Sequence, residues 1–120
     1  MIMRNVTFLF RKAPYGSVNN VEGFRLCTAL AAMEIYTNAV FIDDGVFVAL
    51  RGQDPKGIGL PPIDVAYGRL VSLEVKVYIL EEALKERGIS KEQLIDIECR
   101  LINREQLAEL ISESDFTLSF

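Results

Sequence analysis

Hydrophobic and polar positions along the chain alternate between two periods. Residues 2–10 are apolar almost throughout, then charged Arg11 and Lys12 and the breakers Pro14 and Gly16 follow, which predicts a buried first strand ending in a loop. Val21, Phe24, Leu26, Leu30, Ala31, Met33 and Ile35 recur at helical spacing, predicting a helix over 20–36 with Asn19 or Asn20 as its N-cap. Residues 39–43 read as a second strand ending in Asp43-Asp44-Gly45, and 45–50 as a helical turn or two. Three glycines and three prolines make 51–62 a loop whose bulky apolar side chains are Ile58 and Leu60. A helix is predicted over 63–73. Residues 75–80, rich in β-branched side chains, form a third strand, and a helix over 81–87 closes on Gly88. One more turn falls at 91–94.

Further on, Ile95, Ile97, Cys99 and Leu101 alternate with Asp96, Glu98 and Arg100, the period-two signature of a half-buried strand. That alternation sets Cys99 with the apolar residues. Asn103 caps a last helix to about residue 113, and 116–120 form the last strand. Strands alternating with helices specify a three-layer α/β/α domain with a mostly parallel sheet of about five strands, spanning residues 1–120 as a single domain. A chain of 120 residues buries about two thirds of its unfolded surface, enough for one core.

Composition narrows the chemistry. The net charge is −4, and the acid excess lies entirely in the second half, so the basic footprint of a nucleic-acid binder is absent. There is no histidine, which removes the usual general base of serine and cysteine hydrolases and the commonest zinc ligand. Two cysteines far apart, with no C-x-x-C pair and no secretory signal, predict a reduced, cytoplasmic protein. No apolar run is long enough to suggest a membrane span. No residue pattern calls for a cofactor or a metal.

In open α/β sheets ligands collect where strand carboxyl ends meet helix N-termini. The segments converging there make a candidate pocket of Tyr15, Gly16 and Ser17 after the first strand, Asp43, Asp44 and Gly45 after the second, and Leu80 and Glu81 after the third. Gly16-Ser17 before a helix suits an anion, yet it lacks both G-x-G-x-x-G and the P-loop Lys-Ser/Thr pair. Asp43-Asp44 offers oxygen ligands to a hard cation, against an ordinary reading as turn and cap chemistry. Cys27 is a candidate reactive thiol, against an ordinary reading as a small core hydrophobe. Arg11, Lys12 and Tyr15 are a basic-aromatic cluster, read as a solvated loop.

The segments Ala13-Pro14-Tyr15-Gly16, Glu22-Gly23, Phe41-Ile42-Asp43-Asp44-Gly45-Val46-Phe47, Gly52-Gln53, Glu86-Arg87-Gly88-Ile89 and Ser114-Asp115-Phe116 through Phe120 resemble the DsrE/DsrF-like sulfur-relay family, above all its DsrF/TusC branch. The resemblance implies a small parallel α/β/α domain that assembles into homo-oligomeric trimers or hexamers, or hetero-oligomers with cysteine-bearing DsrE-like paralogues. It implies a part in relaying sulfur as cysteine persulfide, in sulfur oxidation or transfer-RNA thiolation. Catalytic relatives carry a cysteine at the end of the third strand, and counting back from Gly88 that position is Leu80 here. A persulfide-carrying thiolate gains from a helix N-terminus and nearby positive charge, whereas Glu81 and Glu82 oppose it. The chain therefore reads as a non-catalytic subunit that supports a partner, with no catalytic residue of its own. Its rivals are a sulfur carrier using Cys27 or Cys99, and a small-anion or nucleotide-binding module built on Gly16-Ser17 and Gly45.

Overall fold

A computed structural model describes residues 5–16, 18–53, 63–95 and 99–120. Strand β1 (Asn5–Phe10) is followed by α1 (Asn19–Ala32), β2 (Tyr36–Phe41), a 3₁₀ helix (Asp43–Ala49), α2 (Ile63–Ser72), β3 (Lys76–Leu80), α3 (Glu81–Glu86), a 3₁₀ turn (Lys91–Gln93), β4 (Arg100–Ile102), α4 (Arg104–Glu113) and β5 (Phe116–Ser119). The five strands form one sheet in the order β4-β3-β2-β1-β5, and every pairing is parallel. The predicted α/β/α architecture is the observed one.

Alternation along β1 divides the sheet's two faces. Val6, Phe8 and Phe10 point to α1, where Phe10 stacks on Phe24 with ring centroids 4.9 Å apart and on Phe41 at 5.2 Å. Thr7, on the other face, meets the Ser114 hydroxyl at the end of α4. Right-handed crossovers, the rule for parallel strands, accordingly put α1, α2 and α3 on one face and α4 on the other. The core is thickest on the α1 face, which buries Phe8, Phe10, Phe41 and Ile79 completely. Gly23 permits this closeness, because a Cβ there would lie 2.4 Å from the Phe10 ring. On the α4 face, the Asn38 side chain donates to Asn5 Oδ1 at 2.8 Å and to Thr7 Oγ1 at 3.2 Å, a polar bridge from β2 to β1.

Several boundaries differ from those expected. The first helix stops at Ala32, not residue 36, and Tyr36 already belongs to β2, which ends at Phe41 rather than residue 43. Glu34 stands at φ 64°, and the Ile35 N–H returns to Leu30 O at 3.2 Å while Glu34 N–H returns to Ala31 O at 3.0 Å. This is the doubly bonded Schellman stop, with glutamate in the left-handed position where glycine is usual. Glu74 (φ 63°) ends α2 the same way, and Gly88 (φ 66°) ends α3 as expected. Glu34→Gly and Glu74→Gly should therefore each stabilise the domain by about 0.5 to 1 kcal/mol, read as a raised urea midpoint.

Neither Asn19 nor Asn20 is the N-cap of α1; that residue is Val18. Asn20 sits fully buried in the first turn and its amide donates to Ala13 O at 2.7 Å and Lys12 O at 3.2 Å, tying the helix to the loop after β1. The strand expected over 95–101 is also redrawn. Ile95 N–H bonds to Ala49 O at 2.7 Å, and Leu94 bridges Leu50 in antiparallel fashion, so this stretch pairs with the exit of the 3₁₀ helix before β4 begins at Arg100. Residues 96–98, and Ile58 and Leu60 of the loop, lie outside the described residues.

Candidate functional site

Because β3 exits to α3 on one face and β4 to α4 on the other, their carboxyl ends border the crevice where ligands bind in doubly wound sheets. Leu80 and Ile102 face each other across it in register. Leu80 is the N-cap of α3 and only 7% exposed. The crevice closes over it from the α4 side. Asn103 and Gln106 form a capping box, with Asn103 Oδ1 accepting from Gln106 N–H at 2.8 Å and Gln106 Oε1 accepting from Asn103 N–H at 2.9 Å. Glu82 then reaches over from α3, and its Oε2 accepts the Arg104 N–H at 3.1 Å, satisfying another of the free donors at this helix end.

That bond is the leading cause of a Glu82 pKa below the 4.5 of an unperturbed carboxyl, with its own backbone N–H next and the charges of Arg104 and Lys85 adding less. A carboxyl depressed in the folded state stabilises the fold above its unfolded pKa, and the contribution is lost as pH falls through the lower folded value. Comparing urea midpoints at pH 7 and pH 3 should thus give a smaller difference for Glu82→Gln than for the unaltered protein. An equal difference would show that the Glu82 charge is immaterial to the α3–α4 junction.

A chain of charges continues from there. Arg104 Nη2 meets Glu86 Oε1 at 3.0 Å, Glu86 Oε2 meets Arg87 Nη1 at 3.7 Å, and Arg87 Nε meets Asp44 Oδ1 at 3.1 Å. It joins α4, α3 and the 3₁₀ helix along the carboxyl edge of the sheet. Asp44 is thereby engaged as an ion-pair partner, while Asp43, at φ 49°, opens the 3₁₀ helix. Among the described residues no three His, Cys, Asp or Glu side chains come together as a metal-binding group. Gly45 is buried against the Phe10 carbonyl, and its N–H bonds to Ile42 O at 2.8 Å. It serves packing of the 3₁₀ helix onto β1.

Tyr15 is half-buried and packs on the core, and Gly16 lies exposed at φ 100° with open space around it; Ser17 lies outside the described residues. The structure thus brings the 3₁₀ helix to β1 and α3, and α3 to α4. Glu81 is half-buried beside Leu80. Arg87 and Arg104, which organise this edge, were not among the sequence candidates; Asn103 is the N-cap that the sequence predicts for the last helix, and it was the one signal that a second helix starts at the same edge.

The thiols are elsewhere. Cys27 is fully buried in α1, and that burial pushes its pKa up to about 12. Cys99 precedes β4 and is half-buried, so only part of the expected burial holds for it. No helix among the described residues is long and apolar enough to cross a membrane.

Fold and crevice together define a small doubly wound α/β domain whose carboxyl edge is spanned by ion pairs of its own side chains. Over residues 4–120 the chain matches the DsrE/DsrF-like family, and it belongs to that family. It is 31% identical to the intracellular sulfur oxidation protein DsrF of Allochromatium vinosum, over 99% of this chain and 98% of that one. It is 32% identical to a TusC homologue of Vibrio parahaemolyticus, over 98% of this chain and all of that one. In three dimensions it is similar to the ychN protein of E. coli, with a TM-score of 0.86 and 29% identity over 98% of this chain and all of the other.

Proposed function

We propose that this chain is a non-catalytic subunit of a cytoplasmic sulfur-relay assembly, structuring or recognising a partner that carries the transfer cysteine. The observation that carries the proposal is the residue at position 80. At the end of β3, where the family resemblance places the transfer cysteine, stands a nearly buried leucine, followed by two glutamates of which one is committed to α4. The sulfur oxidation protein DsrF among its relatives supports the pathway class. Neither of the two cysteines substitutes for the missing one at this edge: Cys27 is sealed in the core, and Cys99 lies before β4, at the opposite end of that strand from Ile102.

Incubation with a low-molecular-weight persulfide, followed by intact-mass spectrometry, tests the reading. At a pKa of about 12 the Cys27 thiol is ionised in roughly one molecule in 10⁵ at pH 7, so the native protein should gain no stable sulfur there. Native mass spectrometry with a cysteine-bearing DsrE-like protein should show a stable complex. Rapid persulfide formation on Cys27 or Cys99 would overturn the non-catalytic reading and make the chain a carrier.

A further inference from the structure

The opposite edge of the sheet, where the strands begin, is open. A cleft of about 910 Å³ runs around the amino ends of β2, β3 and β4, between the stops of α1 and α2 on one side and Lys76 and Arg100 on the other. Ile35, Val71, Val75 and Val77 line it with apolar surface. Its size falls within the roughly 300 to 1,000 Å³ of small-molecule sites.

Four unspent charges stand on its rim. Glu34 and Glu74 sit at the two helix stops, and Lys76 and Arg100 are diagonal neighbours on one sheet face, since Tyr78 is the residue in register with Arg100. All four are exposed. Among the described residues none of them takes part in an ion pair, whereas at the carboxyl edge Asp44, Glu86, Arg87 and Arg104 neutralise one another. Of the three described non-glycine residues at positive φ, two, Glu34 at 64° and Glu74 at 63°, line this cleft. Glycine would relieve both positions, so the strain kept there points to a use for the side chains. With the negative ends of the α1 and α2 dipoles behind them, these carboxylates make one wall anionic, and Lys76 and Arg100 make the other cationic.

We propose that this cleft binds a short apolar peptide with both ends free, of two or three residues, its ammonium against Glu34 and Glu74 and its carboxylate against Lys76 and Arg100. A polyamine or metal ion would meet the two cations, and a polyanion would meet the two carboxylates. A zwitterion with an apolar middle satisfies both walls and covers the aliphatic lining between them. The site lies at the opposite edge of the sheet from position 80, so its failure and that of the proposed function are separate results.

Calorimetric titration with leucyl-leucine and with trileucine tests it, each compared with its N-acetyl and its C-terminal amide form. The unaltered protein should bind at least one of the free peptides saturably, at about 1 mM or below, and blocking either end should weaken that binding about tenfold. Glu34→Gly with Glu74→Gly should raise the urea midpoint, as argued above, and yet weaken the free peptide about tenfold and cease to distinguish it from its N-acetyl form. Stability and binding then move in opposite directions, which a folding defect does not imitate. Lys76→Ala with Arg100→Ala should in the same way cease to distinguish the peptide from its amide. Absence of saturable binding by both peptides would overturn the proposal. So would blocked peptides that bind as well as the free ones, or variants that keep the full discrimination.

Discussion

Replacement of Gly45 by alanine is expected to cost about 3 kcal/mol or more, for among the described glycines it is the one where a Cβ would come nearest to other atoms. A Cβ at that position would lie 1.9 Å from the Phe10 carbonyl oxygen, well inside van der Waals contact. The obstacle is backbone, not a side chain that rotates away, and the same oxygen already accepts the Ile42 N–H at 3.0 Å. Relief requires the whole 3₁₀ helix to move off β1, uncovering Val46, Val48 and Ala49, all fully buried. With a urea slope of 1 to 3 kcal/mol per molar, the midpoint should fall by about 1 to 3 M. Gly68→Ala in α2 is the control, for a Cβ there meets nothing within 4 Å and alanine is the better helix former. If Gly45→Ala unfolds no earlier than this control, the 3₁₀ helix is free to slide and its contact with β1 is not a constraint.

The second large effect is functional. Leu80→Cys places a thiol where the family resemblance expects one, and we expect it to remain a poor sulfur acceptor. Desolvation at a site 7% exposed holds a thiol pKa up, the six-residue α3 offers only a short dipole, and Glu81 and Glu82 repel a thiolate. Adding Glu81→Ala and Glu82→Ala should lower that pKa, and the thiolate fraction at neutral pH rises about tenfold for each unit gained. The structure adds a refinement. Glu82 is held by the Arg104 N–H, so its removal also loosens the α3–α4 junction, and Glu81→Ala alone isolates the electrostatic part. Alkylation rates against pH read the result. Equal rates in the single and triple variants would show that the two carboxylates do not bear on position 80.

Much of this architecture is legible in the chain because its strands are apolar blocks separated by helical periods. Residues 5–10, 76–80 and 116–119 were found within a few residues for that reason. The errors cluster where a stop has no distinctive residue. Glycine announces the end of α3 at position 88, while α1 and α2 end on Glu34 and Glu74, which resemble any exposed helical residue. The alternation from Ile95 to Leu101 was genuine, but periodicity says nothing about pairing partners, and its first residues pair with the 3₁₀ helix exit. At the site, the family resemblance pointed to position 80. It was silent on Arg87 and Arg104, since an ion chain linking residues 44, 86, 87 and 104 depends on which loops the sheet order brings to one edge.

The sheet order has a bearing on how the chain comes to be folded at all. β1 lies between β2 and β5, so the first strand synthesised waits for the last, and Phe8 and Phe10 find the Phe120 ring, with centroids at 5.8 and 6.1 Å, only after more than a hundred intervening residues have emerged. The final backbone clasp, Arg11 N–H to Phe120 O at 2.8 Å, closes the same long loop. Such a high contact order slows folding and leaves one edge of β1 open on the ribosome, a template for pairing with neighbouring nascent chains. Expression yield should consequently respond to growth temperature and chaperone supply more strongly than the stability of the finished domain suggests.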